Sequence, residues 1–219
     1  MYNITLICTM HKEIGKCNSN ELYNIIEKEN PEIIFEEFDI SRTDDEYYKN
    51  GHYKYQGSCS VETTTIMKYL ENHQVIHIPV DTYDLLNVPK DMYSKISRVN
   101  EEYDNLVKMN FLLSCQHGFP YLNSIECSDM LEKIRRFEEE TIGHLNDKVL
   151  FDTYKSWQLV TDNRENEMLN NIYKYSKENK YNNAVLITGA EHGKPILSKA
   201  KEYNIKENLE INWKSWHSA

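Results

Sequence analysis

The sequence predicts an α/β fold: a mostly parallel central sheet flanked by helices, with a helical hairpin inserted into it. Three observations carry this expectation. Residues 4–9 (ITLICT), 33–35 (IIF), 75–80 (VIHIPV) and 185–188 (VLIT) are short, continuous apolar runs rich in β-branched residues, which is how strands covered on both faces read. Segments with helical spacing lie between them, the order expected of βαβ units with right-handed crossovers. Each run stops at ionisable or small residues, at the edge where open α/β sheets place their ligands. The chain has 219 residues, enough for one sizeable core, so a single domain over 1–219 with a helical insertion at about 84–160 is expected.

After the first strand, Asn18 followed by Glu21 suits a capping box, and Leu22, Ile25 and Ile26 form one apolar helical face. Pro31 ends that helix and the second strand follows, running into Glu36, Glu37, Asp39 and Arg42. Residues 43–60 are polar and tyrosine-rich, with Gly51, His52 and Gly57, and read as a long loop placed to act as a lid. Residues 61–73 predict a helix, weakened by Thr63, Thr64 and Thr65. The third strand ends at Asp81.

Beyond it, Met92, Ile96, Val99, Tyr103, Leu106 and Leu113 keep helical spacing, which predicts one long amphipathic helix over 91–114. Gly118 and Pro120 turn the chain back, and Ser128 suits the cap of a second helix with Leu131, Ile134, Thr141 and Leu145 inside. A third helix is expected over 149–160. Asp162 then reads as the cap of a separate helix burying Met168, Leu169, Ile172 and Tyr173. The fourth strand leads into Gly189 and Gly193, which bracket Glu191 and His192. Glycines there permit a sharp turn and close approach, so His192 is expected at a strand end and not along a helix. A short helix over 194–203 and a strand over 209–213 close the chain, with Trp213 and Trp216 as an anchored tail.

The formal charge of −10 argues against a general nucleic-acid binder, which needs a basic face. No apolar run approaches the roughly 20 residues that span a bilayer, and the first ten residues lack a basic start and a cleavage site. Five cysteines, odd in number and scattered, suit a reducing compartment. A cytoplasmic protein is expected.

His11 and His192 both follow apolar strands, where histidine serves as a metal ligand or as a base near neutral pH. Glu37 is placed to join the same metal or to polarise water, and Arg42 or Arg164 to stabilise an oxyanion or orient a carboxylate. Arg164 in the first turn of a helix opposes the helix dipole, which favours a specific partner for it. Cys8, His11, Cys115 and His117 lack the spacing of a zinc finger. There is no Walker loop, dinucleotide fingerprint or Gly-x-Ser-x-Gly elbow.

Four motifs, in order, resemble those of the TraB/PrgY proteins and their wider relatives, the Tiki proteases, erythromycin esterases and ChaN-like haem-binding proteins. Cys8-Thr9-Met10-His11 is similar to the opening Gly-x-x-His, with cysteine for glycine. PEIIFEEFDISR, from Pro31 to Arg42, resembles the strand carrying the family glutamate and arginine, here Glu37 and Arg42. Asp162-Asn163-Arg164, with Met168 and Ile172, resembles the arginine helix, and Gly189-Ala190-Glu191-His192 the second Gly-x-x-His. The helical middle is unmatched, and the membrane tail of many TraB proteins is absent. The resemblance implies a hydrolase-like site: metal-dependent proteolysis as in Tiki relatives, or ester cleavage by a histidine base as in erythromycin esterases.

The expected function is therefore hydrolysis of a small molecule or peptide at the carboxyl edge of the sheet. His11, Glu37 and His192 either hold a divalent metal (manganese, cobalt or zinc) or divide base and orienting roles without one. Arg42 and Arg164 stabilise developing negative charge. A non-catalytic binder of a small molecule or signalling peptide would use the same cleft. A plain interaction protein would leave the histidines unpaired. Neither nucleic acid nor membrane is expected as a partner, and oligomeric state is left open.

Overall fold

The computed structural model describes residues 2–42, 60–82 and 91–217, excluding the side chain of Arg42. The expected lid over 43–60, except Ser60, lies outside the described residues, as does the side chain of Arg42.

Five strands form one all-parallel sheet: β1 (Tyr2–Thr9), β2 (Ile33–Asp39), β3 (Ile76–Asp81), β4 (Asn183–Gly189) and β5 (Ile211–Ser215). Their order is β3-β2-β4-β1-β5. Ile4, Leu6 and Ile7 of β1 and Val185, Leu186 and Ile187 of β4 are fully buried, as a strand with helices on both faces requires. The register sets Thr9 beside Gly189 and Asp39 beside Asp81, so the strand ends line up along one edge. Between Glu36 and Asp39 the β2–β3 register shifts, an irregularity of the kind that re-aims a side chain. Glu37 sits within it.

Among the described residues, eight α-helices surround the sheet. Helix α1 (Ser19–Glu29) is capped by Asn18, whose side chain accepts from the backbone N–H of Asn20 and Glu21. It ends at Asn30, left-handed at φ 44°, a conformation asparagine tolerates. Helix α2 (Val61–Leu70) is capped by Ser60.

The inserted helices differ from the expected pattern. Residues 91–114 are not one helix: α3 (Met92–Val99) and α4 (Glu101–His117) are separated by Asn100, extended at φ −132°. Its side chain accepts from Tyr103 N–H and donates to Thr141 Oγ1 at 2.7 Å. Those bonds make it a cap, not a helix interior. After α5 (Phe119–Leu122), α6 (Ile125–His144) is capped by Ser124, four residues before the expected Ser128.

Asp162 caps nothing, because a single helix, α7 (Lys148–Glu178), runs through it. No glycine or proline interrupts residues 148–178, so nothing stops the propagation of the helix. Arg164 is consequently mid-helix, away from the terminal dipole invoked for it. The first half of α7 joins α3, α4 and α6 around a separate apolar cluster of Met92, Ile96, Tyr103, Ile134, Ile142, Leu150 and Tyr154. Its second half covers the sheet with Met168, Leu169 and Ile172.

Helix α8 (Ala190–Lys206) starts directly at the end of β4, earlier than expected, and β5 begins two residues later than expected. His192 therefore lies in the first turn of a helix. No helix among the described residues is long and apolar enough to cross a membrane.

Candidate functional site

The carboxyl edge gathers side chains from β1, β2, β3, α2, α7 and α8 into a chain of alternating charge. His11 leaves β1 in the left-handed region at φ 58°. Its Nδ1 lies 3.0 Å from Glu62 Oε1 in the first turn of α2, and its Nε2 lies 3.8 Å from Glu37 Oε2. Glu62 also accepts the Thr9 hydroxyl, while its Oε2 is buried without a hydrogen-bond partner among the described residues.

Glu37 is the hub. Its Oε2 accepts from Thr188 Oγ1 and from Gly189 N–H, both at 2.7 Å, and Gly189 precedes the first residue of α8, so the helix N-terminus favours the anion. Its Oε1 accepts from Arg164 Nη2 at 2.7 Å and faces His192 Nε2 at 3.5 Å.

Arg164 clamps a second carboxylate. Its Nε donates to both oxygens of Asp81 at 3.2 and 3.1 Å, and its Nη2 to Oδ2 at 2.5 Å. That two-pronged geometry is specific to guanidinium. His192 Nδ1 sits 3.0 Å from Glu165 Oε1, and Glu165 Oε2 takes the ammonium of Lys199 at 2.8 Å.

Burial would lower His192, yet hydrogen bonds to Glu165 and Glu37 outweigh it and raise it to about 9. The same opposition, with Glu62 as the chief partner, raises His11 to about 8. Burial pushes Glu37 upward, but His192, His11 and the Gly189 N–H together hold it well below the usual carboxylate range. His192, buried and paired at both nitrogens, is a fixed cation. His11 has a side chain 49% exposed, so it is the histidine of the pair open to a reactant.

Two glycines shape the approach, by lacking a Cβ and not by turning the chain. A Cβ on Gly189 would fall 2.7 Å from His11 Nε2, and one on Gly193 would fall 2.6 Å from Cys8 Sγ. Cys8, which stands where the resembled motif has glycine, is thus accommodated by the missing side chain of Gly193. Burial pushes its thiol up to about 12, which disfavours the thiolate that a nucleophile or ligand requires. Gly189→Ala is expected to displace the His11 ring with little loss of stability, because Gly189 has an ordinary φ of −59°. Ring resonances of His11 would shift by NMR; unmoved resonances would count against this contact.

Of the residues nominated from sequence, the structure brings together His11, Glu37, Arg164 and His192. His11 and His192 both face carboxylates, whereas the plain interaction protein considered from the sequence would leave them unpaired. Glu62, Glu165 and Lys199 were not nominated. Asp81 carried the same strand-end signal as Glu37 and was legible in that way. Glu62 and Glu165 carry no local mark, since each acquires its meaning from a histidine distant in sequence.

No family model, curated protein or solved structure matches this chain.

A metal shared by His11, Glu37 and His192 would need free lone pairs about 2 Å from one point. Here Glu37 meets a guanidinium and an imidazole on one oxygen and two donors on the other, and both nitrogens of His192 face carboxylates. Among the described residues, no group of three or more His, Cys, Asp or Glu could hold a metal ion. The donors as arranged do not fit a divalent ion. A groove of about 780 Å³ beside α8 and β5, lined by Cys8, Gly193, Leu197 and Trp213, includes none of the charged side chains of this cluster. Its walls are mostly apolar, whereas the charged edge carries the titratable groups.

Proposed function

We propose that this chain is a hydrolase of ester or amide bonds in a small molecule or peptide, with His11 as its base and no metal. The observation that carries this reading is the His11–Glu62 pair: an open imidazole whose Nδ1 is held at 3.0 Å by a buried carboxylate. A carboxylate on one ring nitrogen orients the other and stabilises the imidazolium formed on proton transfer. The four motifs that resemble TraB/PrgY proteins support it, since three of them end at this edge and the fourth supplies Arg164. The free thiols of Cys8, Cys17, Cys115 and Cys127 suit a cytoplasmic setting.

In the proposed mechanism, neutral His11 Nε2 removes a proton from water as its oxygen attacks the substrate carbonyl carbon. Glu62 and Glu37 stabilise the resulting imidazolium. Positive charge on Arg164 and His192 favours the oxyanion. The imidazolium then returns its proton to the leaving oxygen or nitrogen.

The test is a pH profile on nitrophenyl esters and peptide anilides. The base must be neutral, and its pKa is raised to about 8, so kcat/KM should rise with pH and reach half its plateau near that value. Glu62→Gln removes the chief raising partner and should move this limb down toward the ordinary histidine value of about 6.5. An unmoved limb would sink the role of Glu62, and ligand retention without turnover would favour a binding protein. Chelation should leave turnover intact. Loss on chelation with rescue by manganese, cobalt or zinc would establish the metal-dependent alternative.

A further inference from the structure

We propose that the inserted helices form a second site, a pocket for an ammonium-bearing small molecule between α3, α4, α6, α7 and the first turn of α8. The cavity has a volume of about 230 Å³, and its walls include Tyr93, Tyr103, Trp157, Arg135, Glu138 and Glu191. Aromatic faces and carboxylates together are the chemistry that recognises organic cations. No group of the His11–Glu37 cluster lines it, so this site stands or falls independently of the hydrolytic reading.

Two carboxylates, Glu138 and Glu191, share this wall with one cation, Arg135, which leaves negative charge in excess. Glu138 is 6% exposed, and its carboxylate accepts from Tyr103 Oη at 3.0 Å and Tyr154 Oη at 3.3 Å. Neither Glu138 nor Glu191 makes a direct ion pair among the described residues, although the charge of Arg135 reaches Glu138. Both act on one region: after burial, the charges of Glu138 and Glu191 are what raise Tyr93. Burial above all, with a smaller contribution from Glu191, pushes Glu138 up to about 7 against the hydrogen bonds from Tyr103 and Tyr154 and the charge of Arg135. Burying a carboxylate with too little counter-charge is unfavourable; a second cation between the two carboxylates would relieve it.

Arg135 adds one positive charge to the same wall. The ammonium group is common to two sources of ligand, a simple alkylammonium and a zwitterion whose carboxylate would meet Arg135.

The experiment titrates the full chain with tetramethylammonium and with trimethylglycine, read by calorimetry and by the indole N–H resonance of Trp157, assigned with Trp157→Phe. Saturable binding is expected, with the Trp157 resonance moving while those of Trp213 and Trp216 stay. Glu191→Gln, at an exposed position, should weaken it about tenfold or more, and Glu138→Gln should abolish it. Glu191→Gln decides the matter if Glu138→Gln fails to fold. Tighter binding of trimethylglycine that disappears in Arg135→Gln would assign the zwitterion, and equal affinities a simple cation; both support the site. No saturation, undiminished binding by Glu191→Gln, or equal binding of a neutral polyol would overturn it.

Discussion

Replacing Arg164 by methionine is expected to destabilise the protein by about 3–5 kcal/mol, the scale of breaking a buried ion pair by removing one partner. The Asp81 side chain is 0% exposed and Glu37 only 7%, so both would be left buried without the guanidinium they share. Lysine should recover only part of the loss, since a point charge cannot reproduce the donations from Nε and Nη2. Urea unfolding at neutral pH measures the difference, and acidification should narrow it by protonating the stranded Glu37, which is held well below the usual carboxylate range in the intact cluster. Equal midpoints for Arg164 and Arg164→Met would mean that the cluster contributes nothing to the fold.

His11→Asn is expected to lower kcat by about 10²- to 10⁴-fold, the usual worth of a positioned base, while leaving the unfolding midpoint nearly unchanged. Asparagine is the informative substitution because His11 has φ 58°, which asparagine adopts readily and alanine resists. Half-exposure of the ring keeps the stability cost small. His192→Gln should behave differently, losing activity and stability together, because His192 is buried between Glu37 and Glu165. Full turnover in His11→Asn would remove His11 from the chemistry.

The sheet was legible because parallel strands with helices on both faces must be apolar at consecutive positions. Residues 4–9 and 185–188 show that pattern and are neighbouring strands. The strand-end groups were legible for the same reason: where the apolar run stops, the polar residue that follows stands at the edge. Helix boundaries in the insertion were not. Asn100 breaks the helix because its side chain finds Tyr103 N–H and Thr141, and Thr141 belongs to another helix. Asp162 resembled a cap, yet nothing in residues 148–178 stops the helix from running through it.

By itself, then, the sequence determined a parallel α/β architecture and placed His11, Glu37, Asp81 and His192 near one edge, because hydrophobic burial leaves a periodic local trace. The tertiary structure alone decided which carboxylate each cation meets: Glu62 for His11, Glu165 for His192, Asp81 and Glu37 for Arg164. Ion pairing depends on distance in space, and residues 51, 27, 83 and 127 positions apart leave no mark of that distance along the chain.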